Sequence, residues 1–288
     1  MQINNNDENI VKINNSNNNI YKNDFNKNKI YSKYNNNNKI ENIKIKNKFK
    51  IKLYFYLIII ICSLELVESL ESIFDSEIIL KIKGTGTQQI LNGNYNFLPS
   101  LVFVNDEEVS AGNTVTNLIN ETNVIKMIWN YTLTDCSDMF NDLSNIIEVD
   151  LSNFDSSQVI SMERMFQYCT NMKYINLSNL NTSSVTNMRW LFWHCHNLLS
   201  LDLSSLDTSS VKLMWSMFAR CFKLKSLDLS NLNTSSVTEM QTLFYLDYEL
   251  EYINFRNINS NSLENMIKMF YSCSNLKYCK LNQNELNN

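Results

Sequence analysis

Glycine and proline are almost missing from this chain. Its 288 residues include four glycines, Gly84, Gly86, Gly93 and Gly112, and one proline, Pro99, all between positions 84 and 112. Everything downstream must turn its corners with other side chains, and Asp, Asn, Ser and Thr are the residues able to do so. Histidine is confined to His194 and His196. Such a pair chelates a metal only with ligands from elsewhere, and Cys195 between them points inward on register, so no metal site is expected. Also missing are a nucleophile elbow, a Cys/His pair with an orienting Asn, and a dinucleotide fingerprint. Gly84-Thr-Gly-Thr87 lacks the Gly-Lys-Ser/Thr ending of a phosphate loop. The expectation is a protein that is not an enzyme and has no cofactor.

Positive charge is scarce where the chain is richest in apolar residues. Residues 65–288 carry 14 Lys or Arg against 25 Asp or Glu, a net of −11. Residues 1–64 carry 11 Lys against 4 acidic side chains, a net of +7. Phosphate binding needs a basic face, so the acidic main portion argues against nucleic acid as a partner.

Long hydrophobic runs are equally few. Lys44, Lys46, Lys48, Lys50 and Lys52 precede one apolar stretch, Leu53 to Leu64, and Glu65 and Glu68 then interrupt it. A basic flank followed by about a dozen apolar residues has the form of a secretory leader, whereas a spanning helix wants about 20. Residues 51–71 are read as a signal sequence or signal-anchor, possible membrane attachment running through 53–64; a buried core strand is the alternative. No later stretch suggests a carboxy-terminal span. Residues 1–50 are dominated by Asn and Lys and are expected to be disordered, an account that needs nothing beyond compositional bias.

What is present is repetition. Phe140, Phe166, Phe192, Phe218, Phe244 and Phe270 are each 26 residues apart, a constant period that marks a stacked-repeat architecture. Residues 72–119, with strand-like Glu77–Lys83 and Ser100–Val104 joined by Gly and Asn turns, read as a β-rich cap. Residues 120–288 read as the array, with full repeats at 146–171, 172–197, 198–223, 224–249 and 250–275. Leu198, Leu201, Leu203 and Leu206 set the first half of a repeat, and their L-x-L spacing predicts a short strand. Val211, Met214, Met217, Phe218 and Cys221 set the second half, and steps of three and four predict a short helix. The polar corner between them, Asp207-Thr-Ser-Ser210, is expected to cap that helix.

These repeats resemble the leucine-rich repeats of the BspA-like surface protein family. The likeness rests on Ile175-Asn-Leu-Ser-Asn-Leu-Asn-Thr-Ser-Ser-Val-Thr-Asn-Met188, on the closing Met165-Phe166-x-x-Cys169, and on the lead-in Trp129–Phe140. It covers about residues 120–281, with Asp247 standing where Cys is usual. The resemblance implies an α/β repeat solenoid, a right-handed coil of 26-residue units each made of a short parallel strand and a short helix. It further implies exposure at the cell surface and adhesion to an extracellular protein or glycan. An intracellular repeat scaffold and a secreted structural protein without a specific ligand are the other readings the residues allow.

On that architecture the candidate binding residues are those pointing away from the core on the concave strand face: Asp150, Tyr174, Asn176, Asp202, Asp228, Tyr252 and Asn254, with Tyr278 beyond. A solvated face is the plainer account of any one of them. Asn120, Asn130, Asn176, Asn181 and Asn233 open N-x-Ser/Thr sequons and are glycosylation candidates in an exported chain. Cys169, Cys195, Cys221 and Cys273 share one repeat position and are expected to be buried free thiols, with Cys273 and Cys279 a conceivable bridge.

Overall fold

The structure, a computed structural model, describes residues 76–256, 258–259 and 261–281. All belong to the second of two compact units, Ser69–Asn288. The disorder expected of residues 1–50 and the leader expected at 51–71 lie outside the described residues.

Eleven strands stand among the described residues: β1 Ser76–Lys83, β2 Gly86–Gln89, β3 Leu101–Val104, β4 Glu107–Val109, β5 Thr114–Leu118, β6 Thr122–Trp129, β7 Ile146–Asp150, β8 Tyr174–Asn176, β9 Ser226–Asp228, β10 Tyr252–Phe255 and β11 Tyr278–Leu281. Strand β1 alternates strictly, burying Ile78, Leu80 and Ile82 on one face. It pairs antiparallel with β6 along its whole length and, on its other edge, antiparallel with β7. Strand β7 then pairs in parallel with β8, giving a six-stranded sheet in the order β4-β3-β6-β1-β7-β8. One amino-terminal strand thus closes the edge that the first repeat would otherwise expose. Strand β6, within residues 120–288 read as the array, is zipped into this sheet. The repeat step begins just after it, at the parallel bridge Asp135↔Ser161.

From there each unit bonds to the next. A ladder of single parallel bridges runs Asp135, Ser161, Asn187, Leu213, Glu239, Asn265, one residue per unit. A second ladder, made by the strand segments, is broken. Strands β7 and β8 end one sheet, β9, β10 and β11 form another in parallel, and the copy between them, Ser200–Asp202, is assigned no strand.

The short helix expected in each unit is not there. No helix occurs among the described residues, and the protein is a β-rich, sheet-based fold rather than an α/β leucine-rich-repeat solenoid. The backbone gives the reason. The amides of Met162, Arg164, Phe166 and Tyr168 donate to carbonyls of the following unit, on Asn187, Arg189, Leu191 and Trp193, at 2.9–3.0 Å. Met165, Gln167 and Cys169, between them, donate to carbonyls three residues back. The segment is a run of tight turns in which every second amide faces the neighbouring unit, and an α-helix leaves no amide free for that. The turns require left-handed backbone at two positions four residues apart. Those positions are Asp138, Arg164, Trp190, Ser216, Thr242 and Lys268, and Asp142, Tyr168, His194, Arg220, Leu246 and Ser272, with φ between 52° and 68°. None is glycine, although a left-handed L-residue costs about 1–2 kcal/mol.

The polar corners differ from expectation for the same reason, since there is no helix to cap. Asp155, Asn181, Asp207 and Asn233 each accept, through Oδ1, the amide two residues on, at 2.9–3.1 Å. The next side chain is buried and reaches across: Ser156, Thr182, Thr208 and Thr234 donate to carbonyls of the following unit at 2.8–3.0 Å. Such Asx turns replace the missing glycines.

Between the two arms lies one continuous core. The rings of Phe140, Phe166, Phe192, Phe218, Phe244 and Phe270 stack in sequence, with centroids 5.4–6.1 Å apart and planes within 15°. Beside them Cys169, Cys195, Cys221 and Cys273 each direct a thiol at the carbonyl of the phenylalanine 29 residues earlier, at 2.9–3.3 Å. All four thiols are free, as are Cys273 and Cys279 with respect to each other.

Candidate functional site

The strand face carries the residues singled out from sequence, and strand register decides which of them meet. Asp150 stands opposite Asn176, and Asn176 Nδ2 donates to Asp150 Oδ1 at 3.0 Å. Asn254 stands opposite Asp228 and donates to its Oδ2 at 3.2 Å. Tyr252 is aligned with Tyr278. Asp202 belongs to neither group, because it lies in the copy that interrupts the two sheets. Tyr174, Tyr252 and Tyr278 are 49%, 37% and 66% exposed, whereas Asn254 is buried.

Each acidic or amide position on this face also holds the backbone. Asp150, Asn176, Asp202, Asp228 and Asn254 accept, through Oδ1, the amides of Ser152, Ser178, Ser204, Ser230 and Arg256 at 2.8–3.2 Å. At Asp202 the bond from the Ser204 amide, and at Asp228 that from the Ser230 hydroxyl, draw the carboxyl below the usual value, so both are anions. At Asp150 burial pushes upward, but bonds from Ser152 and Asn176 outweigh it and the net direction is also down.

Asn120, Asn130, Asn176, Asn181 and Asn233 are all exposed. In three of their sequons, the Ser178, Ser183 and Ser235 hydroxyls bond the Asn Oδ1 at 2.7 Å. Asn176 differs in that its amide nitrogen is already engaged with Asp150.

The turn arm carries a second constellation, which sequence reading did not find. Trp190 and Trp215 lie with ring centroids 4.8 Å apart, and the guanidinium groups of Arg164 and Arg189 sit 5.8 and 5.5 Å from the Trp190 ring. Tyr168 and Trp193 pack against His194, His194 against His196, His196 on Phe222, and Phe222 against Tyr248. Arg220 lies 6.0 Å from the Tyr245 ring, itself stacked on Tyr271. The signal was available in the columns between the core positions, where Arg164 precedes Trp190, Arg189 precedes Trp215, and His196 precedes Phe222 and Tyr248 at the 26-residue step.

The histidine pair sits inside this constellation. Nδ1 of His194 and Nε2 of His196 are 3.1 Å apart. Burial first, then the charge of Arg220, then His196 push His194 down to about 4, and burial and Arg220 push His196 down as well. Both rings are neutral at neutral pH. Among the described residues no group of three or more His, Cys, Asp or Glu is placed to hold a metal ion. The buried thiols are pushed upward by desolvation, which leaves them poor nucleophiles.

A broad groove of about 780 Å³ opens in the cap, lined by Val104, Asn105, Glu107, Thr114, Thr116 and Asn117 among others. Its walls mix hydroxyl and amide groups with the apolar side chains of Val104, Val109, Val115, Leu118 and Ile119, and Glu107 is its one ionisable side chain.

Fold and surface together define a 26-residue repeat protein that joins unit to unit by backbone bonds and displays side chains in columns. Residues 113–200 and 164–284 match the family described as "Mycoplasma protein of unknown function, DUF285". The two matches span more than half the chain, and the protein belongs to this family. No curated protein and no solved structure matches it.

Proposed function

We propose that the protein is a non-catalytic recognition or adhesion protein, exported and displayed at the cell surface or secreted. Its partner is an extracellular protein or glycan, bound through the strand face. The carrying observation is the set of partly exposed tyrosines, Tyr174, Tyr252 and Tyr278, alongside the exposed anions Asp202 and Asp228. Tyr174 is held on the β7–β8 ladder, and Asp228, Tyr252 and Tyr278 on the β9–β10–β11 ladder, so binding there orders few groups that are not ordered already. The likeness of residues 120–281 to BspA-like surface repeats supports the same reading, and the basic-then-apolar stretch at 44–64 supports export. Among the described residues no helix is long and apolar enough to cross a membrane.

The test couples the full chain to fluorescent beads and scores attachment to intact cells and to extracellular-matrix proteins. Asp202→Asn, Asp228→Asn and Tyr252→Ala are combined in one variant, because Asn keeps the Oδ1 acceptor that holds each turn. Attachment falling at least tenfold, with an unchanged thermal melt, is expected. Attachment equal to the parent protein's rules out the strand face.

A further inference from the structure

We propose that the turn arm is a second docking face, centred on Arg220, that takes a carboxylate-bearing segment of a partner protein. This rests on the recognition reading above but not on the strand face.

Composition points to the arm first. The chain has four arginines and four tryptophans, and three of each stand here: Arg164, Arg189, Arg220, Trp190, Trp193 and Trp215. All six are partly exposed, unlike core Trp129. Trp, Tyr and Arg are the residues that carry most of the energy at protein interfaces.

Charge then selects the partner. Arg164 is paired with Asp138 and Glu163, and Arg189 with Glu163. Arg220 forms no salt bridge among the described residues, and the rings beside it, His194 and His196, are uncharged. The Asp247 carboxyl accepts the Cys221 backbone amide and forms no salt bridge with this guanidinium. An unpaired guanidinium set among aromatic rings is a fork for one carboxylate. Trp193, Phe222 and Tyr248 give the residues beside that carboxylate apolar area to cover. A nucleic-acid strand is the poorer occupant, since it needs several free cations in a row and two of the three arginines are already neutralised.

The probe is an array of 12-residue peptides with one central Glu and varied flanks, each matched by its Gln counterpart. Binding is read by quenching of tryptophan fluorescence in the full chain. Expected are Glu peptides that bind at least tenfold tighter than their Gln partners, loss of that preference in Arg220→Gln, and partial recovery in Arg220→Lys. Equal binding of Glu and Gln peptides, an unaltered preference in Arg220→Gln, or stronger binding of an oligothymidylate overturns the proposal. The strand-face variant separates the two readings. Peptide binding retained while cell attachment is lost supports two faces, whereas cell attachment without any peptide preference sinks this proposal alone.

Discussion

Asp247 Oδ1 accepts the backbone amide of Cys221, one unit earlier, at 2.6 Å. It occupies the column where Cys195, Cys221 and Cys273 donate thiols to phenylalanine carbonyls, and its second oxygen, Oδ2, has no partner. The residue is fully buried, and desolvation pushes its pKa well above the usual 3.8, so burial favours the neutral acid over the anion.

Replacing this residue by the thiol of its neighbours should therefore stabilise the protein. Asp247→Cys removes a buried unsatisfied oxygen, a penalty of about 1–3 kcal/mol. The sign follows from the raised folded value. Stability from the neutral carboxyl is fully present below the unfolded pKa and is lost as pH rises toward the folded one. Urea unfolding at pH 4 and pH 7.5 should show a larger gain for the variant at pH 7.5. A gain independent of pH would mean the carboxyl is not buried as a neutral acid.

Glycine at a left-handed position distinguishes tandem turns from a helix. Lys268 is exposed at φ 57°. Lys268→Gly should raise stability by about 1 kcal/mol over Lys268→Ala, by relieving left-handed strain. In a helix the same comparison runs the other way by about 1 kcal/mol. Paired denaturant melts of the two variants read the sign directly.

The phenylalanine column should tolerate truncation unevenly. Phe192 is wholly buried between Phe166 and Phe218, whereas Phe270 is only partly buried. Phe192→Ala should cost about 3–5 kcal/mol, and Phe270→Ala about half of that. Equal losses, measured by chemical denaturation, would show that Phe270 is covered as fully as the inner rings.

The histidine pair predicts an acid-side weakness. His194 is pushed from 6.5 down to about 4, chiefly by burial and then by Arg220, so the folded state favours the neutral ring. Its contribution is present above pH 6.5 and is lost as pH falls through about 4. His194→Asn, able to keep φ 64° because Asn tolerates left-handed backbone, should flatten the melting-temperature profile in that window. An unchanged slope would place the acid sensitivity elsewhere.

Much of this was legible from spacing. The 26-residue step located every stacked phenylalanine, and the alternation in residues 77–83 located β1. The helix was the error, and Val211, Met214, Met217 and Cys221 show why. Steps of three and four bring side chains to one side of a helix, but they do the same for successive turns bonded three residues back. The hydrogen-bond partner decides between them, and a periodicity does not name it. Nor does spacing reveal that Asp150, Asp202 and Asp228 hold turns. The turn-arm cluster is read only when positions 189–196 are compared across neighbouring units.

The alternate amides of each turn arm make unit length all but inflexible. A single inserted residue between Ser161 and Cys169 exchanges outward-facing amides for inward-facing ones and misaligns every later bridge in that unit. Loss or gain of a whole 26-residue block preserves every partner. Related chains should accordingly differ in length by multiples of 26 within the array, with irregular insertions confined to the cap.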